Sequence, residues 1–410
     1  MDLQLANGMW MLKIDMVQAV ALAIITYYVG VYIKSKSPTL QKLSLPAPVI
    51  GGLPFAFILS ALKVAGILSV KFDGTLQTVA LLAFFTTVGM MASLQLVKRG
   101  GMALALFWFV SAIFGAIQNL VGMGIATTMG IDFHYGILAG AVSLMGGLGT
   151  SAAFGPFFEQ TYGIQGATTV AITAATFGMA IALIMGGPFG EKMISMYHIK
   201  TPKQANPHLS EGVESMVIEE DLIDQRVASD DVLKALGFVV VAMGFGSILS
   251  YYLGQIITLP AYIGSMLCAA VVRNFGDFSG KYTIEGPGLN CVADISLVLY
   301  VTMAINSLKL DELIHLALPL IVILIVQTIL MALFAWLVYF MMFGKDYDAV
   351  MLAVGGIGFA MGATANGLAN MQSLGEKYGP SPRAWLIVSL VGAFLVDFTN
   401  AIIITWMGSW

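Results

Sequence analysis

The sequence predicts an all-α, polytopic membrane protein built from two inverted repeats. Each repeat is expected to hold five transmembrane helices and one re-entrant hairpin. Three observations carry this reading. Apolar residues make up 58% of the chain and charged residues only 10%, against about 25% charged in a soluble domain. The second half contains a weak copy of the first. Two apolar segments at corresponding positions are broken by clustered small and polar residues.

Apolar runs long enough to cross a bilayer need about 20 residues. Ten such runs lie near 16–34, 47–66, 77–97, 102–129, 164–188, 233–257, 260–274, 289–308, 313–343 and 383–407. The mean hydropathy of +0.88 agrees. Residues 1–15 open with Asp2, close with Lys13 and Asp15, and show no small-residue cleavage site. The first span is therefore expected to be retained rather than cleaved as a signal peptide. The net charge of −4 and the lack of a basic tract give no sign of a nucleic-acid partner. The expected surroundings are lipid. Cys268 and Cys291 fall in or near spans and read as packing residues.

The internal copy runs at an offset of ~214 residues. Leu45-Pro46-Ala47 followed by Ile50-Gly51 returns as Leu259-Pro260-Ala261 followed by Ile263-Gly264. Ser93-Leu94-Gln95-Leu96 returns as Ser307-Leu308-Lys309-Leu310. Gly140, Met145, Gly146 and Tyr162-Gly163 return as Gly356, Met361, Gly362 and Tyr378-Gly379. Halves of this kind are how many secondary transporters are built. The boundaries are 1–190 for the first repeat, 191–232 for a polar linker and 233–410 for the second.

Five spans per half is an odd number, so the second half must sit upside down relative to the first. Charge gives the orientation. With the N-terminus outside, 15 of the 19 basic residues fall inside and only Lys13, Lys63, Lys71 and Lys309 fall outside. That is the asymmetry of the positive-inside rule. Both termini are expected outside and the linker in the cytoplasm.

The broken segments lie near 136–154 and 352–371. Gly costs about 1 kcal/mol in a helix interior relative to Ala, and both segments carry several. They read as hairpins entering from opposite faces, and non-helical backbone at that depth survives only where protein or a water-filled cavity covers it. A hairpin tip presents free carbonyls at the end of one arm and free N–H groups at the start of the next. Carbonyls suit Na⁺ and a helix N-terminus suits a carboxylate. Gly146, Gly147 and Gly149 leave room for ligand, Thr150 and Ser151 add hydroxyls, and Thr364 and Asn366 contribute from the second hairpin. Small residues also serve close helix packing. Their recurrence at matched positions favours a binding site.

Asp397 lies mid-span within AFLVDFTNAII, where a carboxylate is costly and functional by default. Asn400 shares its helix face. The pair is assigned to a cation, either Na⁺ or the ammonium of a substrate, with Asn370 and Thr176 as further oxygen donors. Asp294 and Thr173 are weaker candidates. Gln118 and Gln327 match between halves and read as helix bridges. The four histidines fall in loops or linker and read as surface residues. The required oxygens and N–H groups are all within the chain, so no organic cofactor is expected.

At the hairpins the chain resembles the sodium/glutamate symporter family. The stretches that carry the resemblance are SLMGGLGTSAAF at 143–154, ATFG at 175–178, GFAMGATANGLANM at 358–371 and GAFLVDFTNA at 392–401. LLAFFTTVGM at 81–90 and LPAPVIGG at 45–52 add to them. The resemblance covers the whole chain. It implies Na⁺-coupled uptake of glutamate in a bacterial inner membrane. It also implies a homodimer with an elevator mechanism, in which a unit carrying both hairpins moves against a scaffold. The family's first hairpin usually reads Gly-Gly-His-Gly, and Leu148 stands at the His. Its second usually has His-Cys where Gly356-Ile357 stand, and Thr-Pro-Thr where Thr364-Ala365-Asn366 stand. A different carboxylate or amino acid is the alternative substrate. A channel would need a continuous pore, and an enzyme would need a nucleophile–base pair or a His-Glu-x-x-His run. The sequence offers none of these.

The topology is testable by thiol labelling. Ser37→Cys and Ala205→Cys should react only from the cytoplasm and Ser409→Cys only from outside. Labelling of Ala205→Cys from outside intact cells would overturn the inverted arrangement.

Overall fold

The structure, a computed structural model, describes residues 2–6, 9–42, 45–202, 229–255, 259–284 and 286–410. Helices follow in the order α1 (Met16–Lys36), α2 (Pro38–Lys42), α3 (Ala47–Val64), α4 (Thr75–Met91), α5 (Leu94–Thr128), α6 (His134–Leu138), α7 (Gly147–Tyr162) and α8 (Ala167–Met196). The second half continues with α9 (Ser229–Gly254), α10 (Tyr262–Ser279), α11 (Pro287–Asn306), α12 (Ala317–Phe334), α13 (Tyr347–Met361), α14 (Thr364–Tyr378), α15 (Pro382–Leu390) and α16 (Val396–Gly408). Short π-helical segments, Ala335–Phe340 and Val391–Leu395, extend α12 and join α15 to α16.

Every expected span contains a helix. Among the described residues, eight helices are long and apolar enough to cross a membrane. The other two expected spans are marginal for different reasons. Helix α4 has 17 residues, and α10 carries Arg273 and Asp277. The central part of the expected linker, 203–228, lies outside the described residues. Residues 191–196 extend α8.

One feature departs from an all-helical chain. Three short strands, β1 (Asp2–Ala6), β2 (Met9–Ile14) and β3 (Leu68–Phe72), form a sheet in the order β1-β2-β3. Strand β2 pairs antiparallel with β1 and parallel with β3. The β2–β3 pairing joins segments separated by three helices, which local sequence patterns do not register.

Local chemistry explains the helix ends. The Asp15 side chain caps α1 by accepting from the Val17 and Gln18 N–H groups, and Gln18 completes a capping box. Lys34 and Lys36 lie in its last turn, favourable to the helix dipole. Asp346 and Ser381 cap α13 and α15.

Glycines bring helices into backbone contact at repeat-matched places. A Cβ at Gly51 of α3 would lie 1.9 Å from the Thr26 carbonyl of α1, and one at Gly264 of α10 would lie 2.5 Å from the Gly246 carbonyl of α9. Between halves, α4 meets α10 where a Cβ at Gly89 would lie 2.2 Å from the Met266 carbonyl. Helix α3 meets α11 where one at Gly52 would lie 2.6 Å from the Ile305 side chain. Helices α1, α3, α4, α9, α10 and α11 thus form one group. The second group, α5–α8 with α12–α16, encloses both broken segments. Val49, Ala56 and Ala80 of the first group pack with Leu148, Ala152, Ile172 and Ala175 of the second.

These contacts set opposite outcomes for two glycine substitutions. Gly51→Ala should prise α1 from α3 and lower stability by about 1–3 kcal/mol. Gly187→Ala, within α8 and with no heavy atom within 4 Å of the added methyl, should be neutral or stabilise by up to ~1 kcal/mol. Thermal unfolding of the detergent-solubilised protein, followed by size-exclusion chromatography, checks both.

Candidate functional site

The two broken segments end differently. Helix α13 stops at Met361 because Gly362 (φ −152, ψ −88) and Ala363 (φ −159, ψ 163) leave helical geometry, and α14 restarts at Thr364. In the first half α6 is a single short turn. Residues 139–146 run as successive turns, and α7 starts at Gly147. Gly147 has φ +62, which favours glycine. Both second arms outrun the apolar windows that located them. They end at Gly163 (φ 71) and Gly379 (φ 107). Apolar composition stops where charge begins, at Glu159 and Glu376, while the helix runs on to its glycine. An arm of this length reaches about 22 Å, more than half of a ~30 Å hydrocarbon core.

The two tips touch. A Cβ at Gly147 would lie 2.6 Å from the Gly362 carbonyl oxygen. The start of α7 and the residues preceding α14 therefore meet inside the second helix group. Neither Gly146 nor Ala363, the N-cap positions, supplies a side-chain cap. The first-turn N–H groups of both helices are thus left without the partners a cap provides.

Side-chain amides satisfy the backbone around the breaks. Asn119 Oδ1 accepts from the Ala141 N–H at 2.9 Å, and Asn400 Nδ2 donates to the Ala141 carbonyl at 2.9 Å. Gln118 Nε2 donates to the Ala360 carbonyl at 3.0 Å. Asn366 Nδ2 donates to the Met179 carbonyl at 2.9 Å and Asn370 Nδ2 to the Ala182 carbonyl at 3.0 Å. Helix α5 thus holds one hairpin through Gln118 and the other through Asn119. Gln327 Nε2 donates to the Gln118 carbonyl at 2.7 Å, the helix bridge expected of this pair. Ser143 Oγ adds bonds to the Leu138 carbonyl and, at 2.9 Å, to the Ala171 carbonyl.

The expected site residues separate into two seams. Gly146, Gly147, Gly149, Thr150, Ser151 and Asn400 gather around the first tip. Thr364, Asn366 and Asn370 lie along the second hairpin, the two asparagines against α8. Thr364 also faces the last span, since a Cβ at Gly392 would lie 2.8 Å from its Oγ1. Thr176 donates to its own helix at Ile172, 2.8 Å, so its hydroxyl proton is already engaged. Asp397 is half-buried and its carboxylate takes no hydrogen bond or ion pair from a described residue. Asp294 lies exposed on α11.

Several buried polar atoms here have no partner: Ser151 Oγ, Asn400 Oδ1, Gln118 Oε1, and the hydroxyls of Tyr262 and Tyr300. A buried polar group without a partner costs about 1–3 kcal/mol, so such a cluster marks a place where a ligand completes the bonding. The two tyrosines were not singled out in the sequence. The available signal was positional: Tyr300 corresponds to Thr86 at the repeat offset, and both interrupt apolar spans. Asn119 likewise sits beside the repeat-matched Gln118.

His134 corrects the expectation of a surface imidazole. It is buried, with Nδ1 2.5 Å from Asp132 Oδ1 and Nε2 3.1 Å from the Gly408 carbonyl. Its ring stacks between Phe133 and Tyr162. A loop position in the sequence does not reveal that the chain's last helix packs over it.

The arrangement offers uncapped helix N-termini for an anion beside carboxylate and amide oxygens for a cation. Comparison with known proteins agrees with this chemistry. A family model described as Sodium/glutamate symporter matches residues 12–380. The sodium/glutamate symporter of Escherichia coli (strain K12) is 34% identical over 395 residues, covering 96% of this chain and 97% of that protein. The Shigella flexneri protein of the same description matches equally. The Haemophilus influenzae protein is 32% identical over 388 residues, covering 94% of this chain and 95% of its own length. By family match and full-length identity alike, the chain belongs to the sodium/glutamate symporter family.

Proposed function

We propose that this protein is a Na⁺-coupled symporter that carries glutamate into the cell. The observation that carries the reading is the meeting of the uncapped N-terminus of α7 at Gly147 with the break at Gly362 that precedes the uncapped N-terminus of α14. The relatives' printed name supplies the ion and the substrate. Glutamate carries two carboxylates and one ammonium. Open N–H groups at Gly147–Gly149 and at Thr364–Ala365 suit the carboxylates. Asp397 suits a cation, with Asn400 Oδ1 as a neutral oxygen for Na⁺, which is bound as cargo.

The packing supports an inverted repeat. Helix α4 contacts α10 while its counterpart α11 contacts α3, and the α1–α3 and α9–α10 pairs close at matched glycines. On this reading the second helix group, with both hairpins, moves against the first in an elevator manner and access alternates. The protein sits in a bacterial inner membrane as a homodimer, with both termini outside and the 191–232 linker in the cytoplasm.

A second reading, another carboxylate or amino acid, is favoured by one place in the second hairpin. Where the family commonly has His, a Cβ at Gly356 would lie 2.4 Å from the Tyr339 ring. The Tyr339 hydroxyl bonds Ser111 at 2.8 Å. A different aromatic group thus fills that space. Uptake by proteoliposomes decides between the readings. A Na⁺ gradient should drive glutamate accumulation, saturably and with counterflow. Accumulation of another carboxylate in preference to glutamate would replace the substrate, and Na⁺-independent conductance would overturn symport.

Two substitutions test the site. Asp397→Asn keeps shape and loses charge, so it should cut Na⁺-driven uptake at least ~10-fold while the protein remains folded in the membrane. Normal transport with unchanged Na⁺ dependence would make Asp397 structural. Gly147→Val places a branched side chain at φ +62 and against the Gly362 carbonyl. It should abolish uptake, and normal transport in this variant would remove the hairpin tips from the site.

A further inference from the structure

We propose that the hydroxyls of Tyr300 and Tyr262 are ligands for the substrate's α-carboxylate, contributed by the first helix group to a site otherwise built by the second. The inference rests on the transport reading above and assigns a role to residues outside both hairpins.

The geometry starts with burial. Tyr300 is 0% exposed and Tyr262 2%, and neither hydroxyl has a hydrogen-bond partner. Their rings are well fixed. Tyr262 stacks on Phe85 at 3.9 Å and meets Phe154 of α7 edge-on at 6.0 Å, while Tyr300 packs on Phe84 at 5.6 Å. Fixed rings aim fixed hydroxyls. A Cβ at Gly149 would lie 2.8 Å from the Tyr300 hydroxyl, so this oxygen stands against the first turn of α7. Ser151 Oγ, two residues further, is also buried and unpartnered.

The available atoms decide the ligand chemistry. The first-turn N–H groups of α7 are donors only. The hydroxyls carry protons with no acceptor in the protein. Donors converging from two elements need an acceptor with several lone pairs, and a carboxylate is the compact group that provides them. Asp397 lies within electrostatic reach of both phenols. An α-amino acid head carries ammonium and carboxylate side by side. The ammonium can face Asp397 and the carboxylate the hydroxyls. The arrangement therefore selects a zwitterionic head over a dicarboxylate without an amine. The two tyrosines belong to α10 and α11, so their bonds to substrate depend on how the two helix groups are placed.

Tyr300→Phe and Tyr262→Phe keep the rings and delete only the hydroxyls. In proteoliposomes each variant should raise the KM for glutamate about ten-fold, the typical worth of a hydrogen bond to a charged group, with maximal rate changed less than ~2-fold. Without substrate the variants should unfold at the same or higher temperature than the parent, because an unsatisfied buried hydroxyl is removed. The upward shift in unfolding temperature caused by glutamate should shrink. Gly149→Ala should displace the Tyr300 hydroxyl and raise KM similarly. Combined with Tyr300→Phe it should add nothing, since the clash is gone. Unchanged KM and an undiminished glutamate-induced shift in both phenylalanine variants, with the parent transporting normally, would overturn this assignment alone. A parent protein that neither transports nor is stabilised by any amino-acid carboxylate would overturn the transport reading, and this assignment with it.

Discussion

The architecture turns on one constraint: a helix broken inside a membrane protein must place its freed backbone groups somewhere other than lipid. Here the two ends of each break are treated differently. Carbonyls around the breaks accept from neutral amides, Asn400 at Ala141 and Gln118 at Ala360. Amides satisfy a buried carbonyl without bringing charge into a low-dielectric interior, where an unpaired charge is far costlier. The N–H ends receive no side-chain cap. Elsewhere α1, α13 and α15 are capped by Asp15, Asp346 and Ser381. Near the tips the positive ends of two helix dipoles are left open toward each other, so the field there favours an anion.

Open N–H groups alone would destabilise the fold. The close approach of Gly147 to Gly362 keeps them away from lipid, and the glycines around it allow backbone to face backbone. Gly178 does the same between α8 and the break, since a Cβ there would lie 2.2 Å from the Met361 carbonyl. The glycine content that weakens these segments as helices is thus what lets them pack as hairpins. Propensity and tertiary contact oppose each other, and contact prevails because Gly147 and Gly178 each face a carbonyl at the second break.

Much of this was legible in the sequence, because apolar length and glycine clustering are local signals. The spans follow from composition, and the helix breaks before Gly147 and at Gly362 follow from broken apolar runs at matched offsets. What stayed hidden depends on distant partners. Asn119 and Asn400 meet the same residue, Ala141, from helices far apart in sequence. Tyr262 and Tyr300 read as ordinary members of apolar spans until their hydroxyls are found without acceptors. The β2–β3 pairing and the burial of His134 are hidden for the same reason. Helix ends at Tyr162 and Tyr378 were missed because hydropathy tracks lipid contact, whereas a helix ends where its backbone turns left-handed or extended.

The proposed alternating access needs two groups of helices that stay whole while moving past each other. Polar ties between them gather at the two connectors. After α4, the Leu94 N–H donates to Asn274 Oδ1 and Ser93 Oγ bonds Asp277 at 2.5 Å. After α11, the Leu310 N–H donates to Ser60 Oγ and Lys63 bonds Asp311 at 2.6 Å. Ser60 and Asn274 are related by the repeat offset, as are Lys63 and Asp277, so both connectors are pinned to the first group in the same way. Between the connectors the seam is formed largely by Ala, Ile and Leu side chains. Such a seam is non-directional: sliding exchanges one apolar contact for another of similar worth, whereas breaking a buried hydrogen bond would cost about 1–3 kcal/mol. Anchored connectors beside an apolar seam therefore let one group shift without unpicking the other. The tyrosine hydroxyls lie at this seam, where a bound substrate can favour one placement of the groups over another.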